Sequence, residues 1–95
     1  MKHFVVVAKN PTIFQQNAIM NRVIKGNYAY WHWIPNIWLL KDDYDGDDAG
    51  TLRDKIRDAA PGCNFTVFEV QPGDWAGFGD PQWGDWLNQH WKWLG

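Results

Sequence analysis

The sequence lacks the features that mark several common classes of protein. Its single cysteine, Cys63, can form no disulfide within the chain, and a lone thiol is compatible with a reducing cytoplasm. Lysines and arginines form no run, and eleven acidic against nine basic residues give a net charge of −2, so we expect no nucleic-acid partner. The apolar run from Phe4 to Ala8 is too short for a signal sequence or a membrane span. We therefore expect an unprocessed, cytoplasmic protein without membrane contact.

Motifs for catalysis and cofactor binding are missing as well. The three histidines, His3, His32 and His90, form no ligand pattern such as His-x-x-x-His, and no nucleophile elbow occurs. We expect no catalytic residue and no cofactor.

One acidic stretch resembles a metal site. Asp43, Asp45 and Asp47 have the spacing of the first ligands of a calcium loop. The sixth position, which should be glycine, is Asp48, so these three residues are weak candidates. The favoured interpretation is a solvated loop in which Asp47 or Asp48 caps the following helix.

The pattern of apolar and turn residues predicts a single α+β domain over residues 1–95. Strands are predicted at 4–8, 28–34, 37–41 and 64–70, and helices at 12–25, 52–60 and about 81–94. The first strand is expected near the middle of the sheet, buried on both faces. The order β-α-β-β-α-β is that of the ferredoxin-like plan, an antiparallel sheet with its two helices on one face. The added C-terminal helix is the expected cover for the other face.

Tryptophan is the residue that the sequence has in excess. Eight occur in 95 residues, in two blocks, and a small domain can rarely bury that many indoles completely. We expect some of them to form a partner surface on the sheet face without helices and on the C-terminal helix. The predicted partner-binding residues are Trp31, Trp33, Trp38, Trp86, Trp91 and Trp93, with Tyr30 and His32 as weaker ligand-binding candidates.

Several short motifs follow one another between residues 28 and 90. They are Tyr30-Trp31-His32, Ile37-Trp38-Leu39-Leu40, Leu52-Arg53-Asp54-Lys55-Ile56, Phe65-Thr66-Val67-Phe68-Glu69-Val70, Trp75-Ala76-Gly77 and Trp86-Leu87. In this order they resemble a group of small SinR-like proteins, relatives of the CRISPR adaptation nucleases and of VapD-type ribonucleases. The resemblance implies a ferredoxin-like fold and, commonly, a homodimer.

The chain departs from its nuclease relatives just after the first strand. The relatives carry a metal-binding aspartate there, whereas this chain has Ala8-Lys9-Asn10. Because the cationic Lys9 repels a divalent metal, we expect no cleavage of nucleic acid by the family's route.

These observations favour a non-catalytic binding protein that acts through an aromatic surface as a homodimer. A phage-encoded or mobile-element-encoded inhibitor of a host enzyme is one form of this role, by analogy alone. Two alternatives stay open: a VapD-type ribonuclease, and a protein that sequesters a nucleotide or other planar ligand. Aromatic rings on RNA-binding sheets stack on bases, but such sheets also carry arginine or lysine, and the predicted strand at 28–34 carries neither.

Overall fold

The chain folds into an antiparallel sheet with helices on both faces, in a computed structural model that describes residues 1–44 and 46–92. The elements, in chain order, are β1 (Lys2–Lys9), α1 (Ile13–Ile19) with a π-helical extension (Met20–Ile24), β2 (Ala29–Ile34), β3 (Ile37–Asp42), α2 (Ala49–Ala59), β4 (Asn64–Val70) and α3 (Pro81–His90). The predicted α+β class is confirmed, and β4 has the predicted bounds.

The four strands lie in the order β2-β3-β1-β4, and every neighbouring pair is antiparallel. β1 is therefore central, as predicted. Burial of β1 on both faces is only partly correct, because Val7 is 41% exposed. The helices α1 and α2 cover the first face of the sheet, whereas the C-terminal part of the chain covers the β2–β3 side of the second face and, at His3, the start of β1.

The core lies between the sheet and the pair α1 and α2. β1 contributes Phe4, Val6 and Ala8, which alternate along the strand and lie on one face. Ile19 and Ile56, from the two helices, are completely buried against this face. Burying an aliphatic side chain of this size stabilises a fold by roughly 1.5–3 kcal/mol.

The helix starts follow from capping residues. Thr12 Oγ1 accepts a hydrogen bond from the Gln15 backbone N–H at 3.0 Å, and Gln15 Oε1 accepts from the Thr12 N–H at 2.9 Å. This capping box fixes the start of α1. α2 begins three residues earlier than the predicted 52, because Asp48 Oδ1 accepts from the Thr51 N–H at 2.7 Å.

α3 is shorter than the predicted helix over 81–94. It begins where predicted, with Asp80 as cap and Pro81 in the first turn, but ends at His90 because Trp91 leaves helical geometry with φ −106° and ψ 61°. Of the remaining predicted positions, 91 and 92 are not helical, and 93 and 94 lie outside the described residues. Within 1–44 and 46–92, no helix has the length and apolar character that a bilayer span requires.

Candidate functional site: an aromatic cavity

Tryptophans from both sequence blocks meet on the second face of the sheet. Trp31 on β2 lies opposite Leu39 on β3, and both side chains face away from α1 and α2. The ring of Trp83, from α3, contacts the ring of Trp31 with centroids 5.6 Å apart and planes at 78°. Trp31 is consequently only 7% exposed. The expectation that the C-terminal helix covers part of the second face is confirmed.

A cavity of about 510 Å³ lies between the sheet, α3 and residues 75–80. Four tryptophans line it, and the others among its lining residues are mostly apolar or small; the tryptophans are Trp31, Trp75, Trp83 and Trp91. Gly79 is needed for the close fit, because an added Cβ would lie 3.3 Å from two ring atoms of Trp83. The volume is within the range of small-molecule sites in proteins.

Further aromatic rings surround this aromatic cavity. Trp33 packs beside Trp83 at 6.1 Å between centroids, and it remains 44% exposed. Trp86 lies 6.2 Å from Trp91 and is partly exposed. Phe78 lines the cavity and is fully exposed. We call the cavity together with Trp33, Trp86 and Phe78 the aromatic surface.

Two histidines support the end of α3. His3 Nε2 donates a hydrogen bond to the backbone oxygen of His90 at 2.9 Å, and the His3 ring meets Trp91 edge to face at 5.2 Å. Burial lowers the pKa of His90, and the nearby positive charge of Lys41 lowers it further. Its Nδ1 is buried without a hydrogen-bond partner. These contacts make His90 a packing residue beside the aromatic surface.

Trp38 was predicted to reach the partner surface, but the structure places it on the opposite face. It lies opposite Val6 in the β1–β3 register and is 0% exposed. Its Nε1 donates to the Met20 sulfur at 3.3 Å, within the core under α1. No partner can contact Trp38 while the core is intact. Trp93, also predicted for the partner surface, lies outside the described residues.

His32 and Tyr30 also lie away from the aromatic cavity. His32 stacks on Trp38 with centroids 4.1 Å apart and planes at 5°. Its Nδ1 donates to the Ile37 oxygen at 2.8 Å, and its Nε2 lies 3.2 Å from Gln16 Oε1. Burial lowers the pKa of His32, although the hydrogen bond to Ile37 opposes the shift. Tyr30, on the edge strand β2, is 39% exposed and lies opposite Leu40 on the core side. The two residues therefore form no joint site with the four tryptophans.

The acidic loop after β3 is not simply solvated. Asp47 is only 9% exposed and accepts hydrogen bonds from the Tyr28 hydroxyl and, at 3.0 and 3.1 Å, from Lys55 Nζ. Burial alone raises the pKa of Asp47, but the bonds from Tyr28 and Lys55 outweigh it and the pKa lies below its ordinary value. Burial, followed by the contact with Asp47, raises the pKa of Tyr28. The helix cap is Asp48, one of the two predicted candidates.

This hydrogen-bonded arrangement leaves little of the predicted calcium ligand set. Asp43 pairs with Lys41 at 3.2 Å, Asp47 is occupied by Tyr28 and Lys55, and Asp45 lies outside the described residues. In the part of the chain that the structure describes, no three His, Cys, Asp or Glu side chains lie close enough together to hold a metal ion.

A second cavity, of about 540 Å³, lies where β1 ends beside β4 and α2. Lys9, Arg53, Arg57 and Cys63 are among its lining residues. Its positive charge is partly compensated, because Asp54 contacts Arg53 at 2.9 Å and Arg57 at 3.4 Å. Burial raises the pKa of the Cys63 thiol, which therefore lacks the thiolate character of a nucleophile.

The sequence prediction of the site missed Trp75 and Trp83. Both line the aromatic cavity, yet neither is among the predicted partner-binding residues. A usable signal was present in the segment 72–80, where glycine alternates with Trp75 and Phe78 ahead of the cap of α3.

No protein-family model, curated protein or solved structure matches this chain. The resemblance to SinR-like proteins stays a prediction.

Proposed function

We propose that this chain is a non-catalytic binding protein that acts through its aromatic surface and associates as a homodimer in the cytoplasm. The observation that carries the proposal is the convergence of four tryptophans on one cavity, with Trp33 and Phe78 exposed beside it. Tryptophan is the residue type found most often at the energetic centres of interfaces. An inhibitor of a host enzyme, encoded by a phage or mobile element, is a role consistent with such a surface and stays a prediction.

The arrangement of strands and helices supports the finer, ferredoxin-like assignment of the fold. The element order is β-α-β-β-α-β up to β4, and the pair α1 and α2 packs on the same face of the sheet. This is the split βαβ arrangement of ferredoxin-like proteins. It agrees with the fold that the SinR-like resemblance implies.

Self-association is supported by the half of the second face that α3 does not cover. A row of side chains crosses the sheet from Trp31 through Leu39 and Val5 to Phe68, according to the strand register. Exposure along this row rises from 7% at Trp31 to 52% at Phe68. Val7 lies two residues beyond Val5 on β1, on the same face of the sheet, and is 41% exposed. Because exposed apolar side chains on a sheet favour association, we propose that a second copy covers this half.

The ribonuclease alternative receives no support from the geometry. Lys9 stands at the end of β1, and the described residues that line its cavity include cations but no carboxylate or imidazole. The nearby Asp54 carboxylate lies outside the lining and is paired with Arg53 and Arg57. Positioned acids and bases are what hydrolysis of a phosphodiester requires.

Sedimentation velocity of the purified full chain tests the proposal. We expect a dimer in the wild type, and we expect Phe68→Ser to weaken it by about 30-fold, the effect of removing a contact that contributes ~2 kcal/mol. Phe14→Ser is the matched control, because Phe14 is 81% exposed on α1, on the other side of the sheet. A wild type that remains monomeric at high concentration, or equal effects of the two variants, would contradict the homodimer.

A further inference from the structure

We propose that the aromatic cavity binds a quaternary, trimethylated ammonium group, an organic cation that carries no N–H donor. The inference rests on the proposed binding function and names the class of ligand for the same surface. Three properties of the lining carry it: the orientation of the indole faces, the sign of the charge, and the shortage of side chains that hydrogen-bond.

The indole faces favour a rounded cation over a flat ring. Tryptophan has the most favourable π face for a cation, and attraction operates within about 6 Å of the ring centroid. Trp31 and Trp83 meet edge to face with their planes at 78°, so this pair offers no parallel slot for a flat ligand. Because Trp31 is 7% exposed, a ligand would meet mainly the half-buried rings of Trp75, Trp83 and Trp91. A trimethylammonium group, which is nearly spherical, needs no parallel pair of rings, whereas a planar ligand stacked between two rings does.

The charge of the lining is negative. Among the described residues that line the cavity, Asp80 is the only charged one, and none is basic. Asp80 uses Oδ1 to accept the hydrogen bond of the Gln82 N–H at 2.9 Å, so its carboxylate is held at the start of α3. A cation that enters the cavity therefore meets a carboxylate and no basic side chain among the described lining residues, whereas an anionic ligand would meet this carboxylate without a basic side chain to pair with.

The lining has few groups for a ligand that must form hydrogen bonds. None of its described side chains is a hydroxyl, an amide or an imidazole. The Nε1 of Trp31 is buried without a hydrogen-bond partner, and a ligand could reach it only if the surrounding rings moved. A primary ammonium has three N–H donors, and the Asp80 carboxylate is the one side-chain acceptor among the described lining residues, so the remaining donors would be costly to bury. Recognition of a nucleobase likewise depends on donors and acceptors along its edges. A quaternary ammonium has no N–H donor and avoids both costs.

The test compares a cation with its uncharged isostere on the full chain. Calorimetric titration with choline is set against 3,3-dimethylbutan-1-ol, in which carbon replaces the charged nitrogen. We expect choline to bind about 5- to 30-fold more tightly, the range that cation–π contacts supply. Two further arms, a peptide with trimethyllysine and the same peptide with lysine, distinguish a free ligand from a methylated protein as the source of the group.

Variants link the binding to the cavity. Trp83→Leu should abolish the preference for choline, and Asp80→Asn, which keeps a capping side chain, should reduce it. Phe14→Leu, on the opposite side of the sheet, is the matched aromatic control and should leave it unchanged. Equal binding of choline and its isostere, absence of binding at millimolar concentration, or binding of adenosine in place of both would overturn the inference. If the dimer persists in these cases, only the ligand class is wrong; if the dimer is absent as well, the proposed function fails.

Discussion

Replacing Asp47 by alanine should destabilise the protein by about 2–3 kcal/mol, although the residue lies in a loop that reads as solvated in the sequence. The change leaves the buried Tyr28 hydroxyl without its acceptor, and an unsatisfied buried polar group costs about 1–3 kcal/mol. It also removes the ion pair with Lys55, which contributes at most about 1 kcal/mol because the Lys55 side chain is 52% exposed. For a domain of this size, the sum lowers the melting temperature by roughly 10–20 °C.

Urea denaturation followed by circular dichroism measures this effect. Asp43→Ala is the matched control from the same loop, since the Asp43 side chain is 52% exposed and the loss of its ion pair with Lys41 leaves no buried hydroxyl without an acceptor. Its cost should stay below about 1 kcal/mol. The double variant Tyr28→Phe/Asp47→Ala should be more stable than the sum of the single changes by about 1 kcal/mol, because phenylalanine needs no acceptor. If Asp47→Ala costs no more than Asp43→Ala, the hydrogen-bonded group of Tyr28, Asp47 and Lys55 is not formed in solution.

The same group predicts a dependence on pH. Because the pKa of folded Asp47 lies below its ordinary value, its contribution is fully present above the unfolded pKa of about 4. The contribution is lost as the pH falls through the lower, folded value. The difference in unfolding free energy between wild type and Asp47→Ala should therefore shrink in acid. A difference that stays constant down to pH 2 (on the order of two units below the unfolded pKa) would contradict the assigned shift.

Three further predictions concern the aromatic residues. Trp38→Ala should lower the free energy of unfolding by about 3–5 kcal/mol in urea denaturation, because the ring is fully buried. Trp33→Ala should lower it by less than about 2 kcal/mol, because that ring is 44% exposed. Equal effects would contradict the assignment of the two rings to different faces. Burial lowers the pKa of His32, so the unfolded chain binds the proton more readily than the folded chain. The stability of the wild type should therefore fall as the pH drops below about 6.5. A His32→Gln variant whose stability falls equally steeply would contradict this. Gly79→Ala should alter the near-ultraviolet circular dichroism but not the far-ultraviolet spectrum, because the added Cβ would lie 3.3 Å from the Trp83 ring; unchanged near-ultraviolet bands would show that the ring is not packed there.

The sequence predicted the elements well because their signals are local. Period-two alternation placed β4 at its observed bounds, and Asp80-Pro81 placed the start of α3. The end of α3 was misjudged because leucine and tryptophan beyond His90 continue a helical pattern of apolar residues. Such a pattern does not reveal that Trp91 turns away to pack against His3.

The candidate site was harder to predict because it depends on the faces of the strands. Trp31 and Trp38 look equivalent in the sequence, yet the β2–β3 register puts them on opposite sides of the sheet. The register also shifts between Trp31 and Ile34, an irregularity that a strict alternation does not anticipate. The burial of Asp47 depends on Tyr28, nineteen residues away, a contact that the local composition of the loop does not indicate.

The two faces of the sheet differ in how firmly their covers are attached. α1 and α2 carry completely buried side chains, whereas no residue of α3 is fully buried. In amide hydrogen exchange, β1 should therefore exchange only when the whole domain unfolds, while α3 exchanges through local opening of lower free energy. The aromatic cavity is then a compartment whose cover can detach while the core stays folded. A ligand bound in the cavity would slow amide exchange in α3 by mass action and leave the exchange rate of β1 unchanged. Exchange in α3, the part that opens most easily, would therefore report ligand binding.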